Sequence, residues 1–192
     1  MTLLQIMPED APETVQLRTS DLDVIHKELI KIGVRFERWH ATHRLPAGAD
    51  DARVMKAYRS HIDRISAEGG YRLVDIARMS PAPADPEWPE RARAAREKFL
   101  AEHFHDEDEV RFFVEGAGCF YLHAGGKVHA MVCTAGDLLA VPSRTVHWFD
   151  MGRSPSFTAI RFFQEEDGWI GRFLPDSIAS RFPTLDDLLA PA

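Results

Sequence analysis

From residue 98 onward the chain alternates short apolar runs with turn residues, and this rhythm predicts strands. CFYLH (119–123), KVHAMVC (127–133), DLLAVP (137–142), VHWFD (146–150) and FTAIRFF (157–163) are separated by Ala135-Gly136, by Asp150–Pro155 and by the run His123-Ala-Gly-Gly-Lys127. Gly116-Ala-Gly118 reads as a further turn. Short, evenly spaced strands of this kind indicate an antiparallel barrel or sandwich. The N-terminal half mixes periods. TLLQIM (2–7) reads as an edge strand. Ser20-Asp-Leu-Asp23 reads as a capping box that opens a helix with Leu22, Ile25, Leu29 and Ile32 on its buried stripe, ended by Gly33. VRFERW (34–39) is a predicted strand. A second helix starts at Asp50 or Asp51, buries Met55, Tyr58, Ile62 and Ile65, and stops at Gly69-Gly70. YRLVDIARM (71–79) is another strand. Four prolines between Pro81 and Pro89 predict an irregular surface connection. A short charged helix (90–97) follows, and after Gly168 the tail holds a helical stretch near 176–181 and a weakly ordered end.

The chemistry concentrates at His103-Phe-His105-Asp-Glu-Asp-Glu109-Val-Arg111, with His147 on a later strand. If KFLAEHFH (98–105) is a strand, His103 and His105 share a face, because side chains two apart on a strand do so. Four more residues of straight strand would carry Glu109 ~13 Å away. The chain is therefore expected to turn at Asp106–Asp108 and return along EVRFFVEG (109–116), which lays Glu109 beside the histidines. Three imidazoles and one carboxylate suit a divalent transition metal with coordination positions to spare, a site for redox or oxygen chemistry.

The chain's 192 residues are enough for one well-buried core, and no composition break divides it. A net charge of −7 with no run of Lys and Arg argues against a nucleic-acid partner. No apolar run reaches membrane-spanning length, and the N-terminus lacks the basic start of a signal peptide. Two cysteines, Cys119 and Cys133, suit a reducing cytoplasm and read as apolar fillers. A single domain is expected: residues 1–97 packed on a metal-binding barrel (98–163), with 164–192 as a tail.

Two blocks match the cupin superfamily. The first is His103-x-His105-x3-Glu109-x6-Gly116 and the second Gly136-x5-Pro142-x4-His147. Glu97, Arg144 and Met151 occupy positions where cupins often carry glycine, glycine and asparagine. Within the superfamily, FLAEHFHDEDEVRFFVEGAGCFYL, GDLLAVPSRTVHWFDMG and the AIRFF…GWI ending resemble the acireductone dioxygenase family of methionine salvage, and YRLVDIARMSP and VRFERW are similar to it as well.

The resemblance implies a cupin-type antiparallel β-barrel with N-terminal α/β elements. It implies one Fe(II) or Ni(II) per chain on His103, His105, Glu109 and His147, with two open positions. The substrate is a methylthio-acireductone that chelates the metal as a dianion and reacts with O₂. Iron gives 4-methylthio-2-oxobutanoate and formate; nickel gives 3-(methylthio)propanoate, formate and CO. The metal, Glu109 and the dianion together leave one uncompensated negative charge, and burying it is costly. Arg111, of the same strand parity as Glu109, is the candidate to neutralise it. Arg161 is a second candidate cation, Phe149 and Trp169 are candidates to enclose the substrate, and Glu102 and Asp108 to support the ligands.

Blander readings stand beside these. Arg111 and Arg161 are also ordinary strand ion-pair partners, and Phe149 and Trp169 ordinary core aromatics. His40 and His43 read as loop residues. His123 and His129 flank a Gly-Gly turn, where approach across the hairpin would allow a second metal, although exposed strand-end histidines are the simpler reading. Another cupin enzyme (isomerase, decarboxylase or thiol dioxygenase) or a non-catalytic metal-bound sensor are the competing functions. A monomer acting on a small molecule, with no membrane or nucleic-acid partner, is the expected form.

Overall fold

The computed structural model describes residues 1–39, 45–46 and 48–190. The chain runs β1 (Leu3–Pro8), β2 (Leu17–Thr19), α1 (Leu22–Ile30), β3 (Arg35–Arg38), α2 (Asp51–Ala57), α3 (Arg59–Gly69), β4 (Leu73–Met79) and α4 (Trp88–Glu97). It continues through β5 (His103–Phe104), β6 (Glu109–Ala124), β7 (Lys127–Thr134), β8 (Asp137–Val141), β9 (Val146–Asp150), β10 (Phe157–Phe163) and β11 (Arg172–Phe173). A 3₁₀ turn (Ala179–Arg181) and α5 (Leu185–Leu189) close the chain. Every strand pairing is antiparallel, which bears out the predicted fold class.

One strand organises the barrel. The first half of β6 lies between β8 and β10, in a sheet ordered β4-β10-β6-β8-β3. Its second half lies between β7 and β9, in a sheet ordered β11-β5-β9-β6-β7-β1-β2. The crossing falls at Gly116–Gly118, so these glycines bend a continuous strand instead of ending it. Gly116 has φ 73°, and a Cβ there would sit 1.8 Å from the Ser156 carbonyl oxygen, so the corner excludes any side chain. The pairing with β10 slips at the same place, between Thr158 and Ala159, the bulge expected where a strand bends between sheets. A two-residue hairpin of the type I′ class needs positive φ at both central positions, and Gly125 (φ 62°) and Gly126 (φ 71°) supply it between β6 and β7.

Alternation along the strands fills three layers. Phe113, Phe120, Leu122 and Phe149 point into the barrel, where Leu4, Ile6 and Met131 join them. Phe112, Leu138, Ile160 and Phe162 point outward under α2 and α3, against Val54, Tyr58, Ile62 and Ile65. Tyr121 and Trp148 point outward on the other sheet, under Phe182, Leu185 and Leu188 of the tail. Burying each large apolar side chain contributes roughly 1.5–3 kcal/mol, and strands covered on both faces account for the near-continuous apolar runs.

Several expectations are corrected. β1 pairs with both β2 and β7, so it is internal and β2 is the edge. Asp21, not Ser20, caps α1, accepting from the Asp23 and Val24 amides; Leu22 is exposed and Ile32 lies beyond the helix. The second helix breaks at Tyr58 into α2 and α3. Trp88 and Pro89 belong to α4, because proline is tolerated in a helix's first turn. Residues 98–101 do not form a strand: Phe99 and Leu100 donate to the Arg96 and Glu97 carbonyls and extend the helix end, leaving only His103–Phe104 as β5. The tail packs instead of fraying, with α5 started by a Thr184–Asp187 capping box. His40 and His43 lie outside the described residues.

Candidate metal centre

His103 and His147 are direct cross-strand partners between β5 and β9, with ring centroids 4.6 Å apart. His105, two residues on, joins them. Glu109 arrives differently from expectation. β5 does not pair with β6; residues 105–109 carry the chain from one sheet to the other, and Glu109 opens β6 opposite Val141 of β8. The carboxylate therefore enters from the facing sheet. The four donor atoms lie within 4.8 Å of one another, and all four residues are buried.

Each imidazole is held by the backbone. His103 Nδ1 lies 2.8 Å from the Ala101 carbonyl, His105 Nδ1 3.0 Å from that of Ile170, and His147 Nδ1 2.8 Å from that of Thr145. A carbonyl only accepts, so each Nδ1 carries a proton, and each ring in its neutral form offers its Nε2 lone pair. His147 Nε2 and His105 Nε2 stand 2.7 and 3.3 Å from Glu109 Oε2. Lone pairs facing a carboxylate are favourable only with a cation or a proton between them. The donor set thus fits a divalent ion, with carbonyl bonds of the type that orient metal-ligating histidines. Burial and the nearby His147 push His103 down to about 4. Burial alone would raise the Glu109 carboxyl, but the Arg111 guanidinium and the neighbouring His105 and His147 hold it well below the usual range.

Arg111 Nη2 lies 2.5 Å from Glu109 Oε1. Its guanidinium lies 4.6 Å from the Phe149 ring centroid and 5.2 Å from that of Phe120, and its buried Nε has no hydrogen-bond partner. A small cavity beside it is lined by Phe99, His105, Glu109, Arg111, Arg161, Phe163, Gly168 and Trp169. Arg161 stands opposite Arg111 in register and is bound by both oxygens of Asp75, at 2.8 and 2.6 Å. Trp169 is 43% exposed, with Lys98 Nζ 4.7 Å from its ring centroid. Phe149 points inward as its parity requires but lies in the core beneath Arg111, not on the cavity wall. Glu102 and Asp108 both point away from the four donors. Asp108 accepts from the Ser143 amide at 2.9 Å and the Tyr71 hydroxyl at 3.4 Å, which ties the turn before His147 to the end of α3.

Phe99, Phe163, Gly168 and the Ile170 carbonyl were not among the expected site groups. Phe99 lies in the helical 98–100 turn, where strand parity has no meaning, and a backbone carbonyl leaves no mark in a sequence. Arg144, at the position where cupins often carry glycine, adopts φ 63°; no other non-glycine among the described residues has positive φ. Its amide donates to the His105 carbonyl at 2.9 Å, so the turn leading to His147 keeps the left-handed shape that glycine would take. His129 faces Leu122 and His123 faces Val128, which puts the two histidines on opposite faces of the hairpin. No second metal cluster is found among the described residues. Cys119 and Cys133 are both buried and free.

Fold and donor set together define a cupin-type barrel with a candidate transition-metal centre. The chain belongs to the ARD/ARD′ family, whose model matches residues 4–171. It is 56% identical to acireductone dioxygenase 1 of Nocardia farcinica over 189 residues, 98% of this chain and 100% of that protein. It is 52% identical to the acireductone dioxygenase of Saccharopolyspora erythraea, covering 99% of both chains. Among solved structures it matches an acireductone dioxygenase from Bacillus anthracis with a cadmium ion in its active centre. That match has a TM-score of 0.76 and 26% identity, covering 90% of this chain and 98% of the other. No described helix is long and apolar enough to cross a membrane.

Proposed function

We propose that this chain is an acireductone dioxygenase of methionine salvage, holding one Fe(II) or Ni(II) on His103, His105, Glu109 and His147. The carrying observation is the convergence of three carbonyl-anchored imidazoles on one carboxylate beside a buried arginine, in a chain of this family. The ion would supply Lewis-acid polarisation and a template for a chelating enediol. The rest falls to the protein. The Ala101, Thr145 and Ile170 carbonyls fix the ring tautomers. Arg111 balances the charge that a dianionic substrate adds beside Glu109, and Phe149 and Phe120 support its guanidinium from below. Arg161, set by Asp75, faces the same cavity, and Phe99, Phe163 and Trp169 offer an apolar wall for a methylthio end. Glu102 and Asp108 steady the backbone on either side of the ligands. With iron the products are the keto acid and formate; with nickel, 3-(methylthio)propanoate, formate and CO. The protein acts as a cytoplasmic monomer, one cupin domain over residues 1–192, on a small molecule and O₂.

Oxygen uptake separates this reading from other cupin activities. The purified protein should consume O₂ with acireductone and not with a sugar phosphate or a free thiol. His147→Ala should lose both bound metal and uptake. Full metal content and full uptake in His147→Ala would overturn the assignment.

A further inference from the structure

His123 lies on the outer face of the sheet, opposite to the metal centre. Its neighbour Leu122 pairs with His147 and shares the inward face; His123 pairs with Val146 on β9 and Val128 on β7. From there its ring reaches across both neighbouring strands. Nδ1 lies 2.6 Å from Glu102 Oε1, just before β5, and Nε2 lies 2.7 Å from Glu9 Oε2, just after β1. Both oxygens are carboxylate acceptors, so both ring nitrogens must donate, and the ring is an imidazolium between two anions. The bonds to Glu9 and Glu102 raise its pKa against the effect of burial, in agreement with that geometry.

Glu102 is the hub of this outer face. It is 2% exposed, and a carboxylate so buried must be compensated. Oε2 accepts from the Ile178 amide at 2.7 Å, its own amide donates to Ser177 Oγ at 2.9 Å, and its carbonyl accepts from the Leu174 amide at 2.9 Å. The residue before His103 is thereby fastened to the tail on one side and to His123 on the other. β5 has only two residues of ladder, too few to hold a ligand pair in place by strand pairing alone.

We propose that His123 is a positioning residue for the metal centre, a strut across β6, β9 and β5 that fixes Glu102 and so the backbone presenting His103 and His105. This rests on the reading of those histidines as metal ligands. The strut touches neither ion nor substrate. Its effect is to slow the departure of the metal.

The test is the rate at which nickel leaves the loaded protein for an excess of chelator. His123→Phe should still bind about one nickel per chain but release it about 10-fold faster or more, the scale seen when groups that orient metal ligands are lost. Glu9→Gln, at a half-exposed carboxylate, should accelerate release in the same direction by less. Val54→Ala, a cavity variant in the helix layer, controls for general loss of stability and should release nickel at the wild-type rate. Wild-type release rates in both His123→Phe and Glu9→Gln would overturn the strut, whatever happens to their melting temperatures. If His123→Phe does not fold, Glu9→Gln decides alone. A wild-type protein that takes up no nickel would instead bring down the metal reading itself, and the strut with it.

Discussion

Arg111 and Glu109 stand two residues apart on the inward face of β6, and the Arg111 guanidinium lies 2.5 Å from the Glu109 carboxylate. One oxygen of Glu109, Oε2, faces the histidines, and the other, Oε1, faces the arginine. Arg111→Ala should therefore keep its metal, because no ligand is lost, yet bind the dianionic substrate poorly. Turnover should fall by at least ~100-fold if a charge-assisted contact worth ~3 kcal/mol disappears. The ultraviolet shift of bound acireductone should shrink in parallel. Arg111→Lys should recover only part, since a point charge does not reproduce a planar fork. A metal-replete Arg111→Ala enzyme with wild-type spectrum and rate would reduce Arg111 to an ion-pair partner.

Asp150 ends the strand that carries His147, and its buried carboxylate is fully used. It accepts from Arg96 at 2.6 and 3.0 Å and from the Gly152 and Leu185 amides, both at 2.9 Å. This joins α4, β9 and the tail at one point. Asp150→Ala leaves Arg96 largely buried and unpaired, a loss of about 3 kcal/mol or more by urea unfolding. A loss below about 1 kcal/mol would mean that the tail is held by its apolar contacts alone.

His123 gives stability a defined pH dependence. Burial alone would lower its pKa, but the bonds to Glu9 and Glu102 outweigh burial and raise it. A histidine whose folded pKa is raised stabilises fully below its unfolded value of about 6.5 and loses that contribution as pH rises through the folded value. The stability difference between wild type and His123→Phe should thus be largest near about pH 6 and shrink toward about pH 9. A difference that grows with pH would contradict the imidazolium assignment.

The sequence discloses the ligands more readily than the path that brings them together. His103 and His105 are legible because Phe104 alone separates them, and Arg111 follows Glu109 by the same parity. The route of Glu109 into the site was not legible. A hairpin at Asp106–Asp108 and a crossing between sheets both satisfy the spacing, and only long-range pairing with β8 decides. Gly116 and Gly118 misled for a related reason: positive φ and close approach serve a bent strand as well as a turn. Residues 98–101 carry the apolar spacing of a strand but complete the end of α4. The Gly-Gly turn draws attention to His123 as a partner for His129, but its contacts with Glu9 and Glu102 are not legible, because those residues lie far away in sequence.

The most direct measurement reloads one preparation of apo-protein with Fe(II) or with Ni(II) and identifies the products formed from acireductone and O₂. If His103, His105, Glu109 and His147 hold the metal that governs the reaction, both forms consume O₂. The iron form then yields keto acid and formate, and the nickel form releases carbon monoxide. No uptake by either form, or one identical product set from both, would contradict this account.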